Sequence, residues 1–265
     1  MIQEKRAKAV ARPRPGAVPY VLKYAHFPYL AQAIRHEIAQ SKEGLRILDV
    51  GCGPGDLGVF CGPMAQCNWI GIDLWYHQLL QAREKGAYEY LMQGNLLDGL
   101  PFKNESVDVI ICNEVLMYLP DVPYVLSEFC RVIRTGGKLF IYNAITCWPR
   151  LASTMKRWGR HLYHESNSVA FNGSTDWHNA SRATRISYHS YEGLIGEIDV
   201  LNFHVVHATS FRIFRNRMRF LNRLEKYTWY GALTKYLTTR YPQISSDLMV
   251  MALKGEARSE ESSKN

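Results

Sequence analysis

Apolar residues in this chain fall into two kinds of pattern, and their order predicts the architecture. Within residues 28–40, Leu30, Ile34 and Ile38 recur four residues apart, the spacing of one helix face. Short, nearly continuous apolar runs follow at 46–50, 69–73, 88–92, 107–112 and 138–143. The segments between these runs are long enough for a helix or a short helical crossover. Strands alternating with helices in this way predict a parallel sheet with helices on both faces. Right-handed crossovers then bring the C-terminal ends of all the strands to one edge.

The order loosens after Asn143. Residues 144–188 are rich in Trp, His, Asn, Ser and Arg and carry no long periodic stretch. A helix is predicted from about Ser190, a strand over 201–208, a helical stretch over 211–240 and a last strand over 248–253. One domain over 19–253 is expected, with insertions at about 144–189 and 210–246 folded over the active edge of the sheet. Residues 1–18, charged and punctuated by proline, and residues 254–265, with almost nothing to bury, read as flexible tails.

Composition narrows the class. A chain of 265 residues, 47% hydrophobic and 21% charged, can bury a sizeable core. Glu4, Lys5, Arg6 and Lys8 precede any apolar stretch, and no run approaches the roughly 20 apolar residues that span a bilayer. Neither secretion nor membrane spanning is expected, and a cytoplasmic location follows, with peripheral contact at a membrane left open. Cys52, Cys61, Cys67, Cys112, Cys130 and Cys147 lack the short paired spacing of zinc sites, so reduced thiols and no metal are expected. Of the net charge of +8, residues 1–146 contribute little, with fifteen basic against fourteen acidic side chains. Residues 147–265 hold seventeen against ten. The basic excess belongs to the second half.

The chemistry lies in the first half. The run RILDV leads from Asp49 directly into Gly51-Cys52-Gly53-Pro54-Gly55, followed by the start of a helix. Three glycines two apart at a strand-to-helix turn let the backbone approach a ligand closely, and the helix start adds N–H groups for polar or anionic atoms. Eighteen residues beyond Gly55, Asp73 ends the next strand in WIGIDL, where a carboxylate can accept both hydroxyls of a ribose. Gly94-Asn95 after the third strand offers a side-chain amide to an adenine edge, and Asn113-Glu114 leaves the fourth strand on the same edge.

ILDVGCGPG, the acid of GIDL, GNLLDGLPFKNESVDVIICNEVLMYLPD and EFCRVIRTGGKLFI resemble successive motifs of class I S-adenosylmethionine-dependent methyltransferases, especially the ubiquinone and menaquinone biosynthesis type. The resemblance covers roughly residues 45–143. It implies a Rossmann-like α/β fold with a seven-stranded, mostly parallel sheet whose last strand is reversed, and S-adenosyl-L-methionine as cofactor. By resemblance, Gly51, Gly53 and Gly55, with Asp49 and Cys52 in the same run, would serve the methionine part of the cofactor. Asp73 would take the ribose, Leu74, Asn95 and Leu96 the adenine, and Asn113 the methionine end near the transfer site. Asn95 stands where the family often has Asp, and Tyr118 where relatives often have His. Residues 53–58 also satisfy the G-x-G-x-x-G of nicotinamide enzymes, but there the first glycine follows the strand directly, as Gly51 does here.

Methyl transfer from a sulfonium is an in-line displacement governed by positioning, and a base is needed only where the acceptor must lose a proton. Candidates are His178, with Asp176 two residues away; His164, three residues from His161; His189; and Tyr118. His204 and His207, an odd number apart on a strand, are expected on opposite faces in structural roles. If 211–226 is helical, Arg212, Arg215, Arg219, Arg223 and Lys226 share one face and Phe214, Met218, Leu221 and Leu224 another. That helix either caps the sheet with a solvated basic side or meets an anionic surface, whether phospholipid, a pyrophosphate-linked carrier or nucleic acid. The chain carries no recognisable RNA-binding module, so nucleic acid is the least favoured partner. The expected reaction is O-methylation of a small molecule or a saccharide or lipid-linked intermediate; an RNA methyltransferase and a non-catalytic cofactor-binding scaffold are the alternatives. Asp73→Ala is expected to weaken cofactor binding with little loss of fold, the side chain being placed at a solvent-facing edge.

Overall fold

The computed structural model describes residues 27–40, 44–61, 67–144, 191–211, 228–241 and 247–256. The strands are β1 (Arg46–Val50), β2 (Asn68–Asp73), β3 (Tyr90–Gln93), β4 (Val107–Asn113), β5 (Ile133–Ala144), β6 (Phe203–Phe211) and β7 (Asp247–Lys254). The helices are α1 (Phe27–Ala39), α2 (Asp56–Cys61), α3 (Tyr76–Lys85), α4 (Val122–Val132), α5 (Tyr191–Val200) and α6 (Thr228–Arg240). The seven strands form one sheet in the order β3-β2-β1-β4-β5-β7-β6. The first five are mutually parallel, and β7 runs antiparallel to both its neighbours. The predicted α/β fold with its reversed last strand is therefore the observed one.

Alternation along β1 divides the core. Leu48 and Val50 join Val125, Leu126, Phe129 and Val132 of α4 and Leu194 and Ile198 of α5 on one face. Ile47 joins Leu30, Ile34 and Ile38 of α1 and Leu57 and Cys61 of α2 on the other. Each such apolar side chain contributes roughly 2 kcal/mol on burial. Arg35 of α1 donates from Nε to the Cys61 carbonyl and from a terminal nitrogen to that of Phe60, both at 2.6 Å. These are carbonyls that the end of α2 leaves without a helical partner.

Three boundaries differ from the pattern for physical reasons. Tyr88 stands outside β3 because its ring turns inward beneath β1, while Glu89 still pairs its N–H with the Trp69 carbonyl at 2.9 Å. The run Arg134–Gly137, which breaks the apolar pattern, lies inside β5. The register shifts there, and a Cβ on Gly137 would lie 2.8 Å from the Arg134 carbonyl oxygen. Phe211 ends β6 and so does not begin a helix; of the second insertion the described part is α6, while residues 212–227, with the basic face, lie outside the described residues.

A bulge in β6 also overturns the placing of its histidines. His204 pairs with Leu253 and His207 with Met251, and the register shifts between Val205 and His207. Leu253 and Met251 share a face of β7, so the two histidines share one as well.

Candidate functional site

The strand order reverses at the boundary between β1 and β4, where the carboxyl ends of parallel strands open a crevice. The glycine run leaves β1 at this point. Gly51 and Cys52 both donate their N–H to the Ile72 carbonyl, at 2.8 and 3.1 Å, which folds the turn over the end of β2. Gly51, Gly53 and Gly55 all have positive φ, at 67, 52 and 77°.

Two of these glycines are required for different reasons. A Cβ on Gly51 would lie 2.3 Å from Cγ2 of Val115, whereas one on Gly53 would meet nothing within 4 Å among the described residues. Gly51 is fixed by packing, and Gly53 borders open space that a ligand can enter. Gly51→Ala is therefore expected to destabilise the protein by about 3 kcal/mol through strain and overlap together. Gly53→Ala costs only about 1 kcal/mol of backbone strain but puts a methyl group over the turn. Unfolding midpoints and ligand titrations of the two variants should rank oppositely; undiminished ligand binding by Gly53→Ala would show that the space above Gly53 is not a binding surface.

Asp73 is 8% exposed, not at a solvent-facing edge. Its Oδ2 accepts the Gly53 N–H and its Oδ1 the Trp75 N–H, each at 2.8 Å. The solvent-facing placement from which little loss of fold is expected is corrected accordingly: this carboxylate is buried and braces the glycine turn. Each oxygen keeps acceptor capacity beyond its one backbone bond, which is what a pair of vicinal hydroxyls needs. Burial raises the Asp73 carboxyl from its ordinary value, against the two backbone bonds and the nearby His77, which lower it.

Asp49 and Cys52 are further inside than the sequence suggests. Asp49 is 1% exposed, its side chain buried beneath the turn. Its Oδ2 accepts the Tyr88 hydroxyl at 2.5 Å. Burial pushes its carboxyl up to about 7, against the Tyr88 hydrogen bond, with the charge of Asp73 adding to the rise. The Cys52 side chain is also turned inward, and burial with the two nearby carboxylates pushes its thiol up, so that only its backbone borders the turn.

Across β2, Asn95 accepts the Leu97 N–H through Oδ1 at 3.1 Å and caps a single 3-10 turn, Leu96–Asp98. Its Oδ1 keeps one further lone pair and its NH2 two donors, so either end of the amide can meet a ligand. Leu96 is buried in the core, whereas Leu74 is 37% exposed, and the Leu74 carbonyl accepts from Gln93 Nε2 at 3.0 Å. Trp75 and His77, which the sequence did not single out, stand beside Asp73, their ring centroids 5.9 Å apart. No glycine or acid marks them; only their position just after Asp73 does.

Asn113 ends β4 in register with Tyr142 of β5. Glu114 follows at φ 59°, a conformation disfavoured for a residue with a side chain, and its N–H is held by the Tyr142 carbonyl at 2.6 Å. This sharp exit leads into the 3-10 turn Leu116–Tyr118, so Tyr118 is brought to the same edge as the glycine turn. His161, His164, His178 and His189 lie outside the described residues. Among the described residues, five cysteines are free thiols and no group of His, Cys, Asp and Glu is arranged to hold a metal.

Residues 48–141 match a family described as a methyltransferase domain. A probable methyltransferase of Aspergillus luteorubrus is 32% identical over 132 residues, 44% of this chain and 46% of that one. A ubiquinone biosynthesis O-methyltransferase of Sinorhizobium medicae is 31% identical over 107 residues, 38% of this chain and 42% of that one. The chain thus spans less than half the length of these curated relatives. The structure of an S-adenosylmethionine dependent methyltransferase from Mesorhizobium loti shares the fold, with a TM-score of 0.54 at 15% identity over 84% of this chain and 97% of that one.

Proposed function

From the match of residues 48–141 to a methyltransferase domain, we propose that the protein transfers a methyl group from S-adenosylmethionine to an oxygen of a small molecule or of a saccharide or lipid-linked intermediate. The observation that carries this reading is the glycine turn itself, open above Gly53 and braced by an acid whose two oxygens retain acceptor capacity. Such a donor set fits a ligand with a ribose diol and an amino-acid tail. When bound, S-adenosylmethionine supplies an electrophilic methyl group on a sulfonium.

The chain's own residues do the rest. Gly51, Gly53 and Gly55 present backbone to the methionine part, Asp73 accepts the ribose hydroxyls, and Leu74, Asn95 and Leu96 border the adenine. Asn113 lies on the acceptor side. Most of the rate then comes from holding the acceptor in line with the methyl group. For a hydroxyl acceptor, Tyr118, on the 3-10 turn that follows β4, would relay the departing proton. Transfer to oxygen is supported by the Sinorhizobium medicae relative, an O-methyltransferase. No helix among the described residues is long and apolar enough to cross a membrane; a cytoplasmic site of action, with residues 212–226 touching an anionic membrane surface, is part of the same proposal.

The test is calorimetric titration with S-adenosylmethionine and S-adenosylhomocysteine, with NADH as control. Micromolar binding of the first two without the third is expected. Binding of NADH alone would return the G-x-G-x-x-G of residues 53–58 to a dinucleotide, and binding of none would remove the cofactor reading.

A further inference from the structure

Glycines on three elements leave room for one ring. A Cβ on Gly55 of the turn would lie 3.0 Å from Cε2 of Tyr88, one on Gly58 of α2 2.9 Å from Cε2 and Cζ, and one on Gly71 of β2 3.1 Å from Cδ1. Trp69 closes the slot edge-on, its ring centroid 6.2 Å away at 80°. Within it the Tyr88 hydroxyl donates to Asp49 Oδ2 at 2.5 Å, and a Cβ on Gly58 would lie 3.0 Å from the same hydroxyl oxygen. The phenol is therefore bonded to the acid at the end of β1 and packed against the helix that the glycine turn starts.

We propose that Tyr88 is a positioning residue for the cofactor: its hydroxyl holds Asp49 beneath the glycine turn and favours the charged form, so that negative charge underlies the bound cation. This rests on the cofactor reading above. A buried carboxylate that accepts no hydrogen bond takes up a proton, because nothing replaces the water it has lost. The groups that face Asp49 are Asp73 of β2, Cys52 of the turn, Cys61 of α2 and Cys112 of β4, with Arg35 of α1 acting on Cys61. Asp73 favours the protonated form. The thiols stay neutral, Cys61 itself being pushed up to about 12 by burial and by Asp49. The Tyr88 hydroxyl is the group that favours the charge. S-adenosylmethionine carries a sulfonium and an ammonium, whereas S-adenosylhomocysteine lacks the sulfonium, so the two report on that charge differently.

Affinity for each is measured by calorimetry from pH 5.5 to 8.5 with the full chain, in the wild type, Tyr88→Phe, Asp49→Asn and the double variant. The ligand's own amino group titrates alike in all four and cancels. Tyr88→Phe, which keeps the ring, is expected to weaken S-adenosylmethionine binding about tenfold at pH 7, the scale of one hydrogen bond to a charged group. S-adenosylhomocysteine should lose less. The midpoint of the acid-side loss should move up by about one unit, and Tyr88→Phe should have no further effect once Asp49 is Asn. Asp49→Asn alone should remove Asp49's share of the acid-side loss and leave only that of Asp73, a result independent of whether the Tyr88 variant folds. An unshifted midpoint, an equal loss at every pH, or an equal loss in the Asp49→Asn background would reduce Tyr88 to packing and overturn the proposal while leaving the cofactor reading intact. Failure of the wild type to bind either ligand would overturn that reading instead.

Discussion

Asp49→Asn is expected to make the folded protein more stable at pH 8 while making it a poorer binder of S-adenosylmethionine. The buried carboxyl titrates near 7 in the fold against an ordinary value of 3.8. Between those values the folded chain holds a proton that the unfolded chain has released. Stability therefore falls as pH rises through this window, and above it the full cost of the buried charge is present. A rise of about three units corresponds to roughly 4 kcal/mol, part of which the amide variant recovers, since it still accepts the Tyr88 hydroxyl without carrying charge. Denaturant unfolding at pH 5 and pH 8 should show the wild-type decline flattened in the variant. A residual slope should remain, because burial raises Asp73 in the same direction. An Asp49→Asn protein less stable than wild type at pH 8, with the slope unchanged, would mean that burial does not raise the carboxyl and that it stays ionised in the fold across this window.

Asp73 should behave in the opposite way. Asp73→Ala leaves the Gly53 and Trp75 N–H groups without their acceptor in a nearly water-free position, a loss of about 2–4 kcal/mol for two bonds to a charged group. The ribose contact goes with it, so cofactor affinity should fall by at least about a hundredfold. Asp73→Asn separates the two effects. It keeps one acceptor oxygen, so it should restore part of the stability while recovering little binding, because the amide nitrogen faces donors. Thermal unfolding and calorimetry on the same samples would check this; full binding by Asp73→Asn would place the ribose elsewhere.

The sheet was legible because its inner strands are buried on both faces, and continuous apolar runs such as RILDV have few other uses. The glycine turn and Asp73 were legible for a related reason: positive φ and a strand-end acid leave residue types that spacing alone can find. The pairing of Tyr88 with Asp49 was not, since a tyrosine before an apolar run looks like the run's first residue. Only the coincidence of Gly55, Gly58 and Gly71 around one ring reveals its place. The burial of Asp49 was hidden for the same cause, as its position in RILDV fixes the face it points to but not what covers that face. The bulge that aligns His204 with His207 likewise lies in hydrogen-bond register, which composition does not encode.

Strand pairing also divides the molecule in time. The glycine turn, Asp73, Tyr88 and Asn113 all lie on β1 to β4 and the links between them, strands joined by short crossovers. The pairing of Lys138 in β5 with Leu253 in β7, by contrast, closes a loop of 115 residues. Contacts of such long range form late. During synthesis the crevice that receives the cofactor can assemble while β5 still presents an unpaired edge, and until β7 arrives that edge is the part of the nascent protein most open to pairing with another chain.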